Sequence, residues 1–402
     1  PSGYKDGKVY SVLPTNGDGD FTFSRGSNAT RVNSSGLIET ITGDTPRLDY
    51  SDSSCPSLLL EPQSTNTINN SNIVASLQYN SLITLSDNAA ISPDGTFNAM
   101  SFVPTTAQGT HRSGYSGGAG SYSQNDIVTL SGFVKANGYD FVTMGGFFGG
   151  EKAVFNISNG TLVSQDGNVI NTEIVKLTND WYRLSTTYTF QNNIGNNYLY
   201  AGISVMDSET GYTFTGDGVS GVYAYGFQAE LGSYPTSYIP TSGTIATRLA
   251  DECNSAGNAS TFNDSEGVLY AEISTLANDG SRAVSISDGS NNSRVLFSYN
   301  TNGRLDANVL SEGAYQVIFN YTGVVNPNIQ NKIALKYKAN DFALWVNGVE
   351  VATDSSGSTP IGLNVLNFST AASSSEQWYG KVKDIRVYNT ALTDAELIAL
   401  TS

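Results

Sequence analysis

Phe342-Ala343-Leu344-Trp345-Val346-Asn347-Gly348-Val349-Glu350-Val351 is the stretch on which the fold turns. An apolar run reaches Asn347-Gly348, and an alternating run leaves it. Asn-Gly supplies the two positive-φ residues that a two-residue type I′ turn requires, so this segment reads as a tight β-hairpin. The same texture recurs in Ile127–Val134, Trp181–Tyr188 and Tyr198–Val205, where β-branched and aromatic residues alternate with small or polar ones. Period-two alternation marks half-buried strands. Many such strands, separated by clusters of Gly, Asn, Asp and Ser, point to antiparallel sandwiches. Only the last dozen residues suggest a helix, with Thr393 as N-cap ahead of Asp394 and Glu396. The expected fold class is all-β: two tandem antiparallel β-sandwiches (jelly rolls) preceded by a short N-terminal docking segment.

Composition narrows the function. At 402 residues the chain is long enough for two or three domains, and only 14% of it is charged, against about 25% in an ordinary globular protein. Lys and Arg number 20 against 36 Asp and Glu, a net charge of −16, which disfavours nucleic acid and anionic membrane as partners. One His and two Cys exclude a His-rich or Cys-rich metal site and leave little for His-dependent catalysis. No apolar run reaches the ~18 residues of a membrane-spanning helix. No secretory signal pattern opens the sequence, so assembly in a host cytoplasm and release by lysis are expected.

Along the chain, residues 1–56 are polar and carry one hairpin pattern, Ala29–Val32 and Leu37–Ile41 around Ser34-Ser35-Gly36. Two short strands cannot stand alone in water, so this segment is expected to dock on a neighbour. A second unit, 57–252, opens at Leu58-Leu59-Leu60. A third, 253–402, follows the polar stretch Asn254–Ser260.

Several motifs resemble known families. Phe21-Thr22-Phe23-Ser24-Arg25-Gly26-Ser27-Asn28-Ala29-Thr30-Arg31-Val32, Pro46-Arg47-Leu48-Asp49-Tyr50 and Leu58-Leu59-Leu60-Glu61-Pro62-Gln63-Ser64-Thr65-Asn66 resemble the start of bacteriophage tail and capsid-associated structural proteins. Gly226-Phe227-Gln228-Ala229-Glu230-Leu231, continuing through Tyr234-Pro235-Thr236-Ser237-Tyr238-Ile239-Pro240-Thr241 and Thr247-Arg248, is similar to the closing strand of their carbohydrate-binding-module-like jelly roll. Gly380–Asn389 with Ala391–Glu396 resembles the end of concanavalin A-like (laminin G-like) domains. The resemblance implies a structural virion protein: a head or tail fibre or a capsid decoration. It would be joined to other virion proteins through residues 1–56 and would adhere to host-surface or environmental polysaccharide. A homo-oligomer, such as a trimer, would suit an appendage. A secreted bacterial lectin or adhesin, or a glycan-degrading enzyme, remains an alternative.

The chemistry to be placed is therefore sparse. Retaining glycosidases need two carboxylates about 5–5.5 Å apart, and no Glu-x-Asp-x-x-Glu alternation supplies them. The lone His111 lies in a Gly-flanked stretch and reads as structural, so no catalytic residue is assigned. Asn16-Gly17-Asp18-Gly19-Asp20 lacks the bidentate Glu of an EF-type loop. Asp264/Glu266 and Asp279/Asp288 could contribute to a structural calcium, but solvated turns explain them more simply; no metal ligand or other cofactor is assigned. Aromatic faces stack on sugar rings, which makes Tyr139, Phe141, Phe147 and Phe148, in a Gly-rich region, candidate glycan contacts. Trp345 joins them if it faces outward, whereas Trp181 and Trp378 read as core. Cys55 and Cys253 bracket the second unit and are expected near one another, as a candidate disulfide.

Overall fold

The computed structural model describes residues 21–402 except 73–76, 78, 118–121, 192–198, 324 and 372–375. Ahead of these it describes the backbone of two short strands, Tyr4–Lys5 and Lys8–Val9. The architecture is all-β, as expected, and the one α-helix among the described residues is Asp394–Thr401.

Two compact units divide the chain, and both are discontinuous. One gathers residues up to Asn28 with 41–62 and 249–402; the other comprises 29–40 and 63–248. The expected boundaries at 56 and 252 are therefore displaced, and residues 21–56 do not form a separate docking module. Thr22–Ser24 pairs with Glu252–Asn254 inside the C-terminal unit. The hairpin of Ala29–Val32 and Ile38–Ile41 forms as read, with Gly36 at φ +74° in its turn. Ser57–Leu60 does not open the middle sandwich. It lies between Gly380–Tyr388 and Arg47–Asp49 in the C-terminal one. The physical reason is range: a strand buried on both faces has the same pattern in any sheet, and its partner here lies more than 300 residues away.

The C-terminal unit packs a seven-stranded sheet on a five-stranded one. The first runs in the order Val349–Asp354, Phe342–Val346, Asn331–Lys338, Glu266–Thr275, Gly380–Tyr388, Ser57–Leu60 and Arg47–Asp49. The second runs Ala314–Tyr321, Leu305–Ser311, Arg294–Tyr299, Arg282–Ser287 and Val365–Asn367. Their facing residues make one core, with Leu269, Ala271 and Ile273 against Val284, Ile286, Val295 and Phe297, and with Leu58, Leu60 and Trp378 inside it. Asn347 (φ +48°) and Gly348 (φ +81°) make the tight turn, with Val346 opposite Val349. Asn347 does more than turn: its N–H donates to Lys332 O and its Oδ1 accepts from Lys332 N–H, each at 2.9 Å. The helix carries a full capping box between Thr393 and Glu396. Its Leu397 covers the outer face of the seven-stranded sheet at Tyr270, Ala343 and Trp345.

The other unit packs two six-stranded sheets. One runs Ile83–Ile91, Phe97–Pro104, Gly221–Leu231, Ile127–Asn137, Tyr182–Thr189 and Val169–Lys176. The other runs Thr161–Gln165, Lys152–Asn156, Phe141–Gly146, Leu199–Met206, His111–Gly117 and Tyr79–Ser81. Met100, Phe102, Leu130 and Phe227 of the first meet Val142, Phe155, Ala201 and Ile203 of the second.

A buried ion cluster holds the C-terminal unit where its chain leaves and returns. Asp251 accepts from Arg25 Nη1 at 2.9 Å and from Arg47 Nη2, and all three side chains are wholly buried. Arg47 Nη1 also donates to Glu61 at 2.7 Å. Glu61 N–H donates to Asp251 Oδ2 at 2.8 Å, and Asp251 N–H returns to Glu61 O at 2.9 Å. Removing one partner of such a cluster strands the others, at about 3–5 kcal/mol. Asp251→Ala is therefore expected to destabilise this unit by about 3–5 kcal/mol in urea unfolding followed by tryptophan fluorescence. Glu252→Ala next door, at an exposed side chain, should stay within about 0.5 kcal/mol; equal effects of the two would remove the cluster from its role. In the same assay Asn347→Pro, which cannot adopt positive φ and lacks the N–H, should cost about 3 kcal/mol. Asn347→Gly, which loses only the side-chain bonds, should cost about 1 kcal/mol.

Candidate glycan-binding face

The outer face of the sheet containing Leu199–Met206 follows directly from alternation. Leu199, Ala201, Ile203 and Val205 point into the core, so Tyr200, Gly202 and Ser204 point out. On the neighbouring strand Tyr115 points inward, leaving Arg112 and Gly114 outward. Gly114 stands opposite both Gly202 and Tyr79. The paired glycines form a floor: a Cβ on Gly114 would come within 2.7 Å of the Phe147 ring, and one on Gly202 within 3.1 Å. Phe147 lies on that floor, its N–H donating to Tyr200 O at 2.7 Å.

Four rings gather there. Tyr79 is 5.4 Å from Phe147, 5.9 Å from Phe148 and 5.8 Å from Tyr200, and Phe148 is 5.7 Å from Tyr200. Phe147 is buried, and the other three are half-buried. The Arg112 guanidinium lies 4.9 Å from the Tyr79 ring centre and 5.2 Å from that of Phe147, and its Nη2 donates to Tyr79 Oη at 2.9 Å. Half-buried rings on a sheet face can stack on the apolar face of a pyranose.

Of the candidate contacts read from the sequence, Phe147 and Phe148 are in this cluster. Tyr139 packs 5.2 Å from Phe214 instead, and Phe141 makes no ring contact among the described residues. Trp345 is not a stacking platform. It does leave the sandwich core, but the C-terminal helix covers it and only 4% of its surface remains exposed. Trp181 and Trp378 are buried, as expected. His111 is fully buried, with Nδ1 2.6 Å from Leu82 O and Nε2 2.9 Å from Phe214 O. Both nitrogens face carbonyl oxygens, so neither is available for a proton relay or a metal.

The cysteines are free thiols and form no disulfide. Cys55 is exposed, whereas Cys253 is buried in the core of the C-terminal sandwich, where desolvation and then Asp251 push its thiol well up. The two cysteines do not bracket the inserted sandwich, because both belong to the C-terminal one. The calcium candidates are occupied by protein donors. Asp264 accepts from Gly362 N–H and Leu363 N–H, and Glu266 pairs with Lys338 at 3.0 Å. Asp279 pairs with Arg282, and Asp288 accepts from Ser290. Among the described residues no three His, Cys, Asp or Glu converge on a metal position. The turn Asn16–Asp20 lies outside the described residues.

Tyr79, Tyr200, Arg112 and Glu151 escaped the sequence reading. Strict alternation through Tyr198–Val205 would have put Tyr200 on the outer face. Glu151 follows the turn that carries Phe147 and Phe148, and its carbonyl accepts from Gly146 N–H at 3.1 Å. Its side chain is buried, which raises the carboxyl to about 7 against the opposing effect of the Gln191 N–H it accepts. Burial causes the shift, and no second carboxylate contributes to it.

A second outer face lies on the five-stranded sheet of the C-terminal sandwich. Tyr315 and Ile318 are 56% and 54% exposed there, beside a shallow cleft of about 250 Å³ lined also by Arg294, Asn308 and Asn320. Arg294 is bonded to Asn308 at 3.2 Å and Arg304 is paired with Asp306 at 2.6 Å.

Glu151 sets a pH dependence. Its folded-state pKa lies above the unfolded value, so the folded state holds the proton more tightly. The stabilisation is complete below about pH 4.5 and is lost as pH rises through about 7. The unfolding midpoint assigned to this unit should fall between pH 5 and 7.5, and Glu151→Gln should flatten that decline. An unchanged slope in the variant would assign the effect to other groups.

Comparison with known proteins bears on the fold. Residues 256–398 match a family model described as the concanavalin A-like lectin/glucanases superfamily. No curated protein matched the sequence. Among solved structures the chain is similar to the CBM40 of the Ruminococcus gnavus IT-sialidase, at 19% identity and TM-score 0.32 over 37% of this chain and 94% of that one. It is similar to a heptameric SAP-like pentraxin from Limulus polyphemus, at 12% identity and TM-score 0.29 over 37% and 72%. It is also similar to domains LG4-5 of the mouse laminin alpha1 chain, at 10% and 0.25 over 68% and 87%. What the family match establishes is a concanavalin A-like, laminin G-like C-terminal sandwich.

Proposed function

We propose that this chain is a non-enzymatic structural protein of a tailed-bacteriophage virion, a fibre or capsid decoration, that adheres to surface glycans through the ring cluster of its inserted sandwich. The observation that carries the adhesive part is that cluster: Tyr79, Phe147, Phe148 and Tyr200 side by side on an outward sheet face. The virion part is supported by the phage-like motifs between Phe21 and Asn66 and by the closing motif Gly226–Thr241. Low charge with abundant Ser, Thr and Asn suits an appendage bathed in water. Attachment to other virion proteins falls, in this reading, to the N-terminal residues 1–56, as the resemblance implies. A bacterial surface lectin would share the adhesive face and differ only in where it is found.

On a glycan array the full chain should retain oligosaccharide, and Phe148→Ala and Tyr200→Ala should each weaken retention roughly three- to ten-fold, as for a ring contact of about 0.5–1.5 kcal/mol. Retention unchanged in the double variant would overturn the site. Release of shorter sugars from the array would overturn the non-enzymatic reading. Mass spectrometry of purified particles should find the chain, and deletion of residues 1–20 should abolish its incorporation; particles lacking the intact chain would favour the lectin.

A further inference from the structure

Arg112 is the unusual member of the ring cluster. This chain has an excess of carboxylates, 36 against 20 basic residues, and its buried arginines Arg25 and Arg47 are paired with Asp251 and Glu61. Arg112 has no carboxylate among the described residues. Among the described residues its partners are one phenol oxygen and two ring faces, and its buried Nε has no hydrogen-bond partner there. A guanidinium so placed retains N–H donors that no described residue uses. They adjoin the rings of Tyr79 and Phe147, which form one end of the aromatic surface.

Resting on the adhesive reading above, we infer that this face takes a carboxylate-bearing (acidic) saccharide, its sugar ring against the aromatic cluster and its carboxylate on Arg112. A planar carboxylate matches the guanidinium fork, and the charge-assisted bond is about twice as strong as a neutral one. The net charge of −16 does not forbid this. At physiological salt, charges beyond about 8 Å are largely screened, so the adjacent cation outweighs the distant excess of acids. The cleft on the second outer face also holds an arginine, Arg294, but the carboxylates Asp306 and Glu376 line it as well, which disfavours a bound carboxylate there.

The test is calorimetric titration of the full chain with trigalacturonate and with a glucuronate-containing disaccharide, each against its methyl ester, which removes the charge and keeps the shape. At least one acid should bind ten-fold or more tighter than its ester, and Arg112→Gln should bring that ratio close to one without loss of the ester's binding. Arg112→Lys keeps the charge and stem but not the fork, and should retain part of the preference; it also serves if the Gln variant melts early. Acid and ester bound equally by the wild type, or a ratio unchanged in both variants, would overturn the inference while leaving the adhesive reading intact. If neither form of either sugar binds, this inference fails, while the adhesive reading is decided by the glycan array.

Discussion

Asp251 takes two guanidinium groups in the interior of the C-terminal unit, and the path of the chain depends on it. The unit is interrupted twice. The first excursion spans residues 29–40 and the second 63–248. Arg25 is tied to both ends of the first, its Nε donating to Ser27 O at 2.9 Å and its Nη2 to Thr42 O at 2.8 Å. Glu61 and Asp251 sit at the two ends of the second and bond each other through backbone and side chain. Desolvating these charges costs several kcal/mol per ion, so the cluster is weak evidence of net stability. What it supplies is specificity of position: each charge is satisfied only when all four segments meet.

That geometry gives a physical meaning to the motifs that resemble phage proteins. Arg25, Arg47 and Glu61 each lie in one of the three N-terminal stretches, and in the fold they are neighbours around Asp251. The closing motif behaves likewise in the other unit. Glu230 accepts from Gln228 Nε2, from Thr236 N–H and from Ser64 Oγ at 2.6, 3.1 and 2.6 Å. Asn66 donates to Phe227 O and Ile239 O at 3.1 and 2.9 Å. Buried polar groups without such partners would each cost about 1–3 kcal/mol. These motifs therefore encode how the chain closes on itself, and a resemblance carried by them speaks to architecture more than to ligand.

The local features were legible in the sequence because local chemistry determines them. Asn347-Gly348 has only one comfortable turn, Thr393 and Glu396 cap each other three residues apart, and alternation in Ile127–Val134 marks a strand in any setting. The interleaving of the units was not legible. Ser57–Leu60 pairs with Gly380–Tyr388, and no periodicity within four residues names a partner that distant. Trp345 shows the same limit on the functional side: the strand pattern left open which of its faces is outward, and nothing local announced that Leu397 would cover it. The cysteines misled for a related reason, since their positions were judged against boundaries that the fold does not use.

The face proposed for glycan binding was half legible. Phe147 and Phe148 stood out because glycines surround them in sequence. The glycines that matter most, Gly114 and Gly202, come from two other strands and meet only in the sheet. A side chain at either would displace Phe147 from its seat or force the strands apart, since backbone oxygens lie 2.3 Å from where each Cβ would be. The sheet thus gives up two side chains at its centre to seat one ring, and that ring holds Tyr79 and Arg112 beside it. A core ring needs no such concession, because the inner face of the same strands is filled by Ala201, Ile203 and Val205 in ordinary packing. The cost is borne on the outward face, where stability gains least from it, and this is the physical ground on which the proposal for that face rests.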